Sequence, residues 1–255
     1  MFNFFKFKKT DLTVKLTSEG RLDIALLKAG IENPATVEKL TVVGDMIRAD
    51  FKYIRKKMGK TLQSLNLSKA SFEENKLVRG ALARCIALTS ITIPASTTEI
   101  RDGAFSNCTG LSSLVIPDSV TKIGELAFWN CTNLTSVSIP DSVVEIEFRA
   151  FNSCTGLTSI IIPNSVIKIA GSAFGKCTGL TSVTIPNSVI EIGNGAFANC
   201  TQLTSITIPE SVTKIGDWVF KDCDVLVTVH PDNPFYADED GKLVTKFQQT
   251  EHIDG

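Results

Sequence analysis

The sequence is poor in histidine, the side chain that most often serves as a general base in active sites. Its two histidines among 255 residues are His230 and His252, so no histidine general base is available before position 230. The lysine of Gly59–Thr61 lacks the upstream glycine of a phosphate loop. Asp238–Gly241 resembles part of a calcium loop, but Tyr236 stands at the place of the first ligand. The sequence therefore predicts no enzyme, no cofactor and no metal site.

Long apolar runs and a strong excess of charge are absent as well. No apolar run approaches the roughly 20 residues of a membrane-spanning helix. The formal net charge is −1, with a basic segment at residues 1–61 and an acidic remainder, which favours neither nucleic acid nor a membrane as partner. Phe2, Phe4 and Phe5 form too short an apolar core for a secretion signal, and no cysteine lies nearby for lipid attachment. We expect either a cytoplasmic chain or a mature or truncated form of an exported one.

Seven cysteines stand out because they recur at a fixed interval of 23 residues. Phenylalanines and prolines keep the same interval. A fixed period in the twenties is typical of a solenoid of stacked coils. The three columns are Cys85, Cys108, Cys131, Cys154, Cys177, Cys200 and Cys223; Phe105, Phe128, Phe151, Phe174, Phe197 and Phe220; and Pro94, Pro117, Pro140, Pro163, Pro186 and Pro209.

One repeat, residues 111–133, predicts the path of each coil. Leu114 and Ile116 lie two apart and predict a short strand, which the following proline ends. A second inward stretch follows, and then Ala127, Phe128 and Cys131 at the spacing of one tight helical turn. A single unit cannot bury this apolar stripe, whereas stacked units can, with strands pairing in parallel at about 4.8 Å.

The repeated pattern L-T-S-I-T-I-P-x-S-V-T-x-I-G-x-x-A-F-x-x-C-T-x closely resembles the BspA-like class of leucine-rich repeats. This class occurs in many surface proteins of bacteria and some parasitic protists, and the resemblance covers Leu62 to about Val244. It implies a curved right-handed α/β repeat solenoid with a parallel concave sheet. It also implies a binding surface without enzymatic activity, and some family members are adhesins for host matrix and plasma proteins.

The chain divides into four segments by its pattern. Residues 1–61 predict a mixed α/β amino-terminal cap, 62–87 a first irregular repeat, 88–225 six repeats, and 226–255 a decaying repeat with a tail. Cations near residue 56 suit either an anion patch or, as we favour, the carboxyl end of a helix. The expected elements before the repeats are a strand over residues 12–16, a helix over Gly20–Ile31 with Leu22, Leu26 and Leu27, a strand over Leu40–Val43, a helix from about Asp45 with Ile47, Phe51, Ile54 and Met58, and a short helix from Ser71 through Leu82.

The regular columns also predict how cysteines and charges are used. Cysteines one coil apart lie within disulfide range, but their number is odd and pairing would distort a uniform column, so we expect reduced, buried thiols. Ligands in a single row cannot surround a metal ion tetrahedrally. One exposed column alternates in sign and should favour correct register between coils. It consists of Glu99, Lys122, Glu145, Lys168, Glu191 and Lys214.

Candidate binding residues are large apolar side chains at repeat positions that otherwise hold small or polar residues. Val115 and Ile161 interrupt an outward strand surface of serine and threonine. On another surface, Trp129 and Phe148 replace small or polar residues, and Leu126 and Trp218 share a column otherwise held by Gly103, Arg149, Ser172 and Gly195. Leu126, Trp129 and Phe148 should cluster, since one coil separates them, and exposed aromatic clusters are common protein-binding hot spots.

Three functional readings remain at this point. The leading one is a cell-surface or secreted adhesin-type protein that binds host or matrix proteins, as the resemblance implies. An intracellular leucine-rich repeat scaffold is the alternative, favoured by the free thiols and the missing signal. The rows of serine and threonine also permit polysaccharide or ice binding.

Overall fold

The computed structural model of the chain describes residues 11–17 and 21–246. In the first coils, long strands alternate with two helices. The elements in chain order are β1 Asp11–Lys15, α1 Leu22–Lys28, β2 Lys39–Met46, α2 Arg48–Lys57, β3 Ser64–Phe72 and β4 Lys76–Leu77, with 3₁₀ turns at Pro34–Thr36 and Glu73–Asn75.

The repeats then alternate a strand of three or four residues with one of two. The last two strands of the chain form an antiparallel hairpin. The elements are β5 Ser90–Thr92, β6 Glu99–Ile100, β7 Ser113–Val115, β8 Lys122–Ile123, β9 Ser136–Ser138, β10 Glu145–Ile146, β11 Ser159–Ile161, β12 Lys168–Ile169, β13 Ser182–Thr184, β14 Glu191–Ile192, β15 Ser205–Ile208, β16 Lys214–Ile215, β17 Leu226–Val229, β18 Tyr236–Glu239 and β19 Lys242–Thr245.

Parallel strands on one side of the solenoid form the predicted sheet surface. β1, β2, β3 and β5 pair in that order, and β7 with β9, β11 with β13, and β15 with β17 continue the series. In each repeat strand the middle residue is buried and its two neighbours are exposed, because side chains alternate across a strand. We call the exposed residues of β5, β7, β9, β11, β13 and β15 the Ser/Thr face.

A second sheet of seven two-residue strands carries the alternating charges. β4, β6, β8, β10, β12, β14 and β16 are neighbours in that order. The predicted register is confirmed, since Glu145 pairs with Lys168, and Lys168 with Glu191. The Lys168 ammonium lies 3.3 Å from the Glu145 carboxylate, which raises the pKa of Lys168. Lys122 is an exception, because its ammonium lies 3.2 Å from Glu147 instead of contacting its cross-strand neighbours.

The third side of each coil is built from turns, so the predicted tight helical turn is wrong. Leu126 and Asn130 have φ of 56° and 58°, which interrupts any helix. The Phe128 amide donates to Ala150 of the next coil at 2.8 Å, while the Cys131 amide closes a turn onto Phe128 at 3.2 Å. Bonding between coils therefore replaces the bonding within a helix that the apolar spacing suggested.

Phenylalanines and cysteines form two of the side-chain columns in the solenoid interior. From Phe105 to Phe220, successive rings stack with interplanar angles from 3° to 16° and centroids 5.0 to 6.1 Å apart. Beside them, each thiol from Cys108 onward donates to a backbone carbonyl of the preceding coil, as Cys154 does to Phe128 at 3.2 Å. All seven cysteines are free and six are buried, as predicted from their column.

The amino-terminal predictions hold for the strands better than for the helices. β1 and β2 occur at the expected places, and α1 buries Leu22 and Leu26 but leaves Leu27 exposed. α2 begins at Arg48 and not near Asp45, because β2 continues through that residue in register with β3. The predictions made for Phe2, Phe4 and Phe5, for Gly20, and for the tail with His252 concern residues outside the described ranges.

The expected short helix from Ser71 is wrong for a related reason. Ser71 lies within β3, where its hydroxyl bonds to the Asp45 carboxylate, and Glu74 has a left-handed φ of 54°.

The cations at the end of α2 have a structural role, since the Arg55 guanidinium donates to the carbonyls of Gly80 and Ala81. Capping of neighbouring backbone therefore accounts for Arg55.

Residues 230–246 form a turn and a hairpin that are bonded to the coils before them. The Asn233 side-chain amide donates to the carbonyls of Pro209 and Val212, at 2.8 and 3.0 Å. The Tyr236 hydroxyl accepts from the Ile215 amide at 2.8 Å, at the end of β16. Asp238, in the stretch that resembled a calcium loop, accepts from the Val229 amide at 2.7 Å. These bonds hold residues 233–238 against the preceding coils.

Candidate binding surfaces

The Ser/Thr face carries two exposed apolar side chains among small hydroxyls. Val115 is 76% exposed and Ile161 is 81% exposed, on strands that flank β9. Between them Ser136 and Ser138 line a depression of about 360 Å³. Because only short side chains separate the two apolar groups, a partner can reach both at once.

A second surface, on the side of the two-residue strands, forms a groove between Phe148 and Trp218. We call this depression of about 620 Å³ the aromatic groove. Phe148 is 39% exposed and Trp218 73% exposed. Residues between them include Gly171, Gly193 and Gly195, so the floor is low and the two rings stand above it.

Gly171 leaves the space that the Phe148 ring occupies at one end of the groove. A methyl group at its Cα would lie 3.4 Å from the Phe148 ring and 3.3 Å from the Asn194 carbonyl. The Phe148 ring thus packs over the space that other residues in that column would fill. Sequence inspection marked Phe148 and Trp218 separately, but the missing side chain at Gly171 was the signal that could have joined them.

The charged side chains that line the aromatic groove are predominantly positive. Its lining includes Lys168, Lys214 and Lys221 but one carboxylate, that of Glu191. The Glu191 carboxylate contacts the Lys214 ammonium at 3.2 Å, and this pair is largely exposed. Exposed ion pairs contribute only about 0.2–1 kcal/mol, so a charged partner can compete for Lys214.

Leu126 and Trp129 take a different place from the other candidates. Both are half-buried, and neither lines the aromatic groove. The Leu126 amide donates to the Phe148 carbonyl at 3.0 Å, so the backbones are adjacent as the repeat spacing requires. The groove nevertheless brings Phe148 together with Trp218, which is three repeats further along the chain.

Burial makes the cysteine column a poor reactive site. It raises the pKa of the Cys85, Cys131 and Cys200 thiols to about 12. The pKa values of Cys108, Cys154 and Cys177 are also well above the usual range, mainly because burial disfavours the thiolate. A nucleophilic or metal-binding cysteine needs the thiolate, so these thiols serve packing.

One group of potential ligand atoms lies close together in the described residues. Atoms of Glu210, His230 and Asp232 lie within 4.8 Å of one another. Both carboxylates are exposed, and His230 Nδ1 accepts from the Asp232 amide at 3.3 Å. We read this group as two turns of neighbouring coils, with Glu210 after β15 and His230 and Asp232 after β17. No helix of the described residues combines the length and apolar character needed to cross a membrane.

Comparisons with known proteins point to one repeat family. A family profile described as BspA type leucine-rich repeat region matches residues 75–182 and 145–234, with six copies. A leucine-rich repeat protein from Bacteroides ovatus is similar, with 26% identity and a TM-score of 0.51 over 73% of this chain and 59% of that one. The pneumococcal vaccine antigen PcpA has 28% identity and a TM-score of 0.51 over 61% of this chain and 40% of its own. A comparison with curated proteins gave no match.

The chain thus spans about three fifths of the Bacteroides ovatus protein and two fifths of the pneumococcal antigen. The repeat profile points to protein interaction, and no enzyme family is indicated.

Proposed function

Because the chain belongs to the family of BspA-type leucine-rich repeat proteins, we propose that it is a non-enzymatic module that binds a protein at the cell surface or after secretion. Its partner is a host, matrix or plasma protein, as for an adhesin. One relative is named as a vaccine antigen, which supports an exposed location. Leucine-rich repeat solenoids offer extended surfaces that suit large partners better than small substrates.

The observation that carries the proposal is the exposure of Val115 and Ile161 on the Ser/Thr face. Threonine or serine occupies the same column in the other repeats, namely Thr92, Ser138, Thr184 and Thr207. The two apolar side chains are exposed, so they bury no area in the core of this chain. Their burial against a partner would remove apolar area from water, which is favourable by about 25 cal/mol per Å².

Replacing both apolar residues by threonine should weaken partner binding at least tenfold, or about 1.4 kcal/mol. The double variant Val115→Thr and Ile161→Thr restores the consensus of its column, so we expect little change in folding. Binding is measured by surface plasmon resonance on a panel of purified matrix and plasma proteins. The melting temperature of each variant is recorded alongside.

A matched control is available in another column. Val144→Thr and Ile190→Thr also remove two exposed apolar groups, at positions where Thr98, Thr121 and Thr213 stand in other repeats. This control should bind like the wild type. Equal weakening by both double variants, or by neither, would count against the Ser/Thr face as the binding surface.

Location separates the proposed adhesin from an intracellular scaffold. The seven free cysteines favour the scaffold, but six of them are buried and thereby shielded from oxidants. Protease treatment of intact source cells, followed by mass spectrometry, should release peptides of this chain. Peptides that are found only after lysis would favour the scaffold.

A glycan array and a measurement of thermal hysteresis test the alternatives that the Ser/Thr face binds polysaccharide or ice.

A further inference from the structure

At each end of the aromatic groove, a cation lies over an exposed aromatic ring. The Arg149 guanidinium carbon lies 4.8 Å from the centre of the Phe148 ring. At the other end, the Lys221 ammonium lies 5.8 Å from the Trp218 ring. Among the described residues neither cation is paired with a carboxylate, so each is available to an anion.

We propose that the aromatic groove binds an extended acidic peptide segment of a partner protein. Each end takes an apolar side chain on Phe148 or Trp218 and, from a residue two positions away on the same face of the peptide, a carboxylate on Arg149 or Lys221. This site is separate from the Ser/Thr face and does not depend on it. Exposed aromatic and arginine side chains are the residue types that dominate protein-binding hot spots.

The spacing of the two ends fits a peptide in extended conformation. Phe148 and Trp218 lie three repeats apart, and coils stack at about 4.8 Å, so the rings are separated by about 14 Å along the solenoid. An extended chain rises about 3.3 Å per residue, and residues four apart span about 13 Å on one face. Two apolar residues four apart can therefore reach both rings.

The charges favour an acidic occupant. Between the two ends, Lys168 and Lys214 are held by exposed pairs with Glu145 and Glu191. Such pairs give way to a better-placed carboxylate at little cost. The lining holds Lys168, Lys214 and Lys221 against Glu191, and Arg149 adjoins Phe148, so the groove itself carries an excess of positive charge, which attracts an acidic segment and slows a basic one.

Trp218 provides a direct measurement of occupancy. Trp129 and Trp218 are the chain's two tryptophans, so Trp129→Phe leaves Trp218 as the single reporter. The probe is a synthetic capped peptide with two phenylalanines four positions apart and a glutamate two positions after each, so that all four side chains lie on one face, in a glycine and serine background. Binding should shift Trp218 emission to the blue, reduce its quenching by acrylamide, and weaken as salt increases.

Three comparisons decide the proposal. Replacing the glutamates by glutamine, or placing the phenylalanines side by side, should each weaken binding at least tenfold. Phe148→Gly, followed by titration of the same Trp218 reporter, should do the same, while Val115→Thr with Ile161→Thr should leave peptide binding unchanged. No protection of Trp218 by the peptide at millimolar concentration, or no dependence on spacing, overturns the proposal. Protection by a sulfated heparin oligosaccharide and not by the peptide would assign the groove to anionic glycans and overturn it as well.

Discussion

Above about pH 8.5, where about half of the cysteines in an unfolded chain are ionised, the free energy of unfolding should fall steeply with pH. Burial raises the folded-state pKa of six thiols, to about 12 for Cys85, Cys131 and Cys200 and well above the usual range for the other three. The folded protein keeps protons that the unfolded chain releases. The stabilisation is therefore complete below the unfolded pKa and is lost as pH rises toward the folded values.

The expected effect is large because the thiols act together. Each contributes about 1.4 kcal/mol per pH unit once the unfolded thiol is ionised, so six give about 8 kcal/mol per unit. Domains are stable by about 5–15 kcal/mol, and unfolding should follow within one or two units. Urea titrations followed by circular dichroism, in reducing buffer over a pH series, measure this slope.

A variant separates the thiols from lysines and tyrosines that also titrate at alkaline pH. Replacing Cys154 and Cys177 by alanine removes two buried thiols and should reduce the slope by about a third. The same variant loses some stability at neutral pH through the cavities it leaves. An unchanged alkaline slope in this variant would show that the thiols are not responsible.

Phe151→Ala should be among the most damaging single substitutions in the chain, costing about 3–5 kcal/mol. The Phe151 ring is fully buried and stacks on Phe128 at 5.0 Å and on Phe174 at 5.5 Å. Its removal leaves a cavity between two rings in the middle of the column. Because each coil contacts only its neighbours, the loss also weakens both coil interfaces.

Phe220→Ala provides the matched control for this prediction. Phe220 ends the column, is half-buried, and stacks on one side only, 6.1 Å from Phe197. Its removal should cost clearly less in a urea titration. If both variants lose the same free energy of unfolding, ring stacking in the column is not what stabilises the central coils.

Much of the fold could be predicted because equivalent residues of successive repeats stack into columns. A side chain's column fixes its surroundings, so the buried cysteines, the paired strands and the alternating charges followed from the 23-residue interval. The turns did not follow, because Ala127, Phe128 and Cys131 have a spacing that a helical turn and consecutive turns both satisfy. Bonding from Phe128 to the next coil decides between them, and that bond is not visible in one repeat.

The binding surfaces show the same division. Val115 and Ile161 could be assigned to the exposed surface because they occupy outward strand positions. The aromatic groove could not be predicted, because Phe148 and Trp218 lie in different columns and three repeats apart. Their relation depends on the low floor at Gly171 and on side-chain directions, which a consensus pattern does not specify.

Photo-cross-linking from the Ser/Thr face tests most directly that this surface binds a protein. A photo-reactive amino acid is placed at position 161, or at position 190 as a control, and each protein is irradiated with the panel protein that binds wild type. The account predicts cross-links from position 161, mapped by mass spectrometry to one surface of that partner, and few from position 190. Cross-links that form from position 190 and not from position 161 would contradict it.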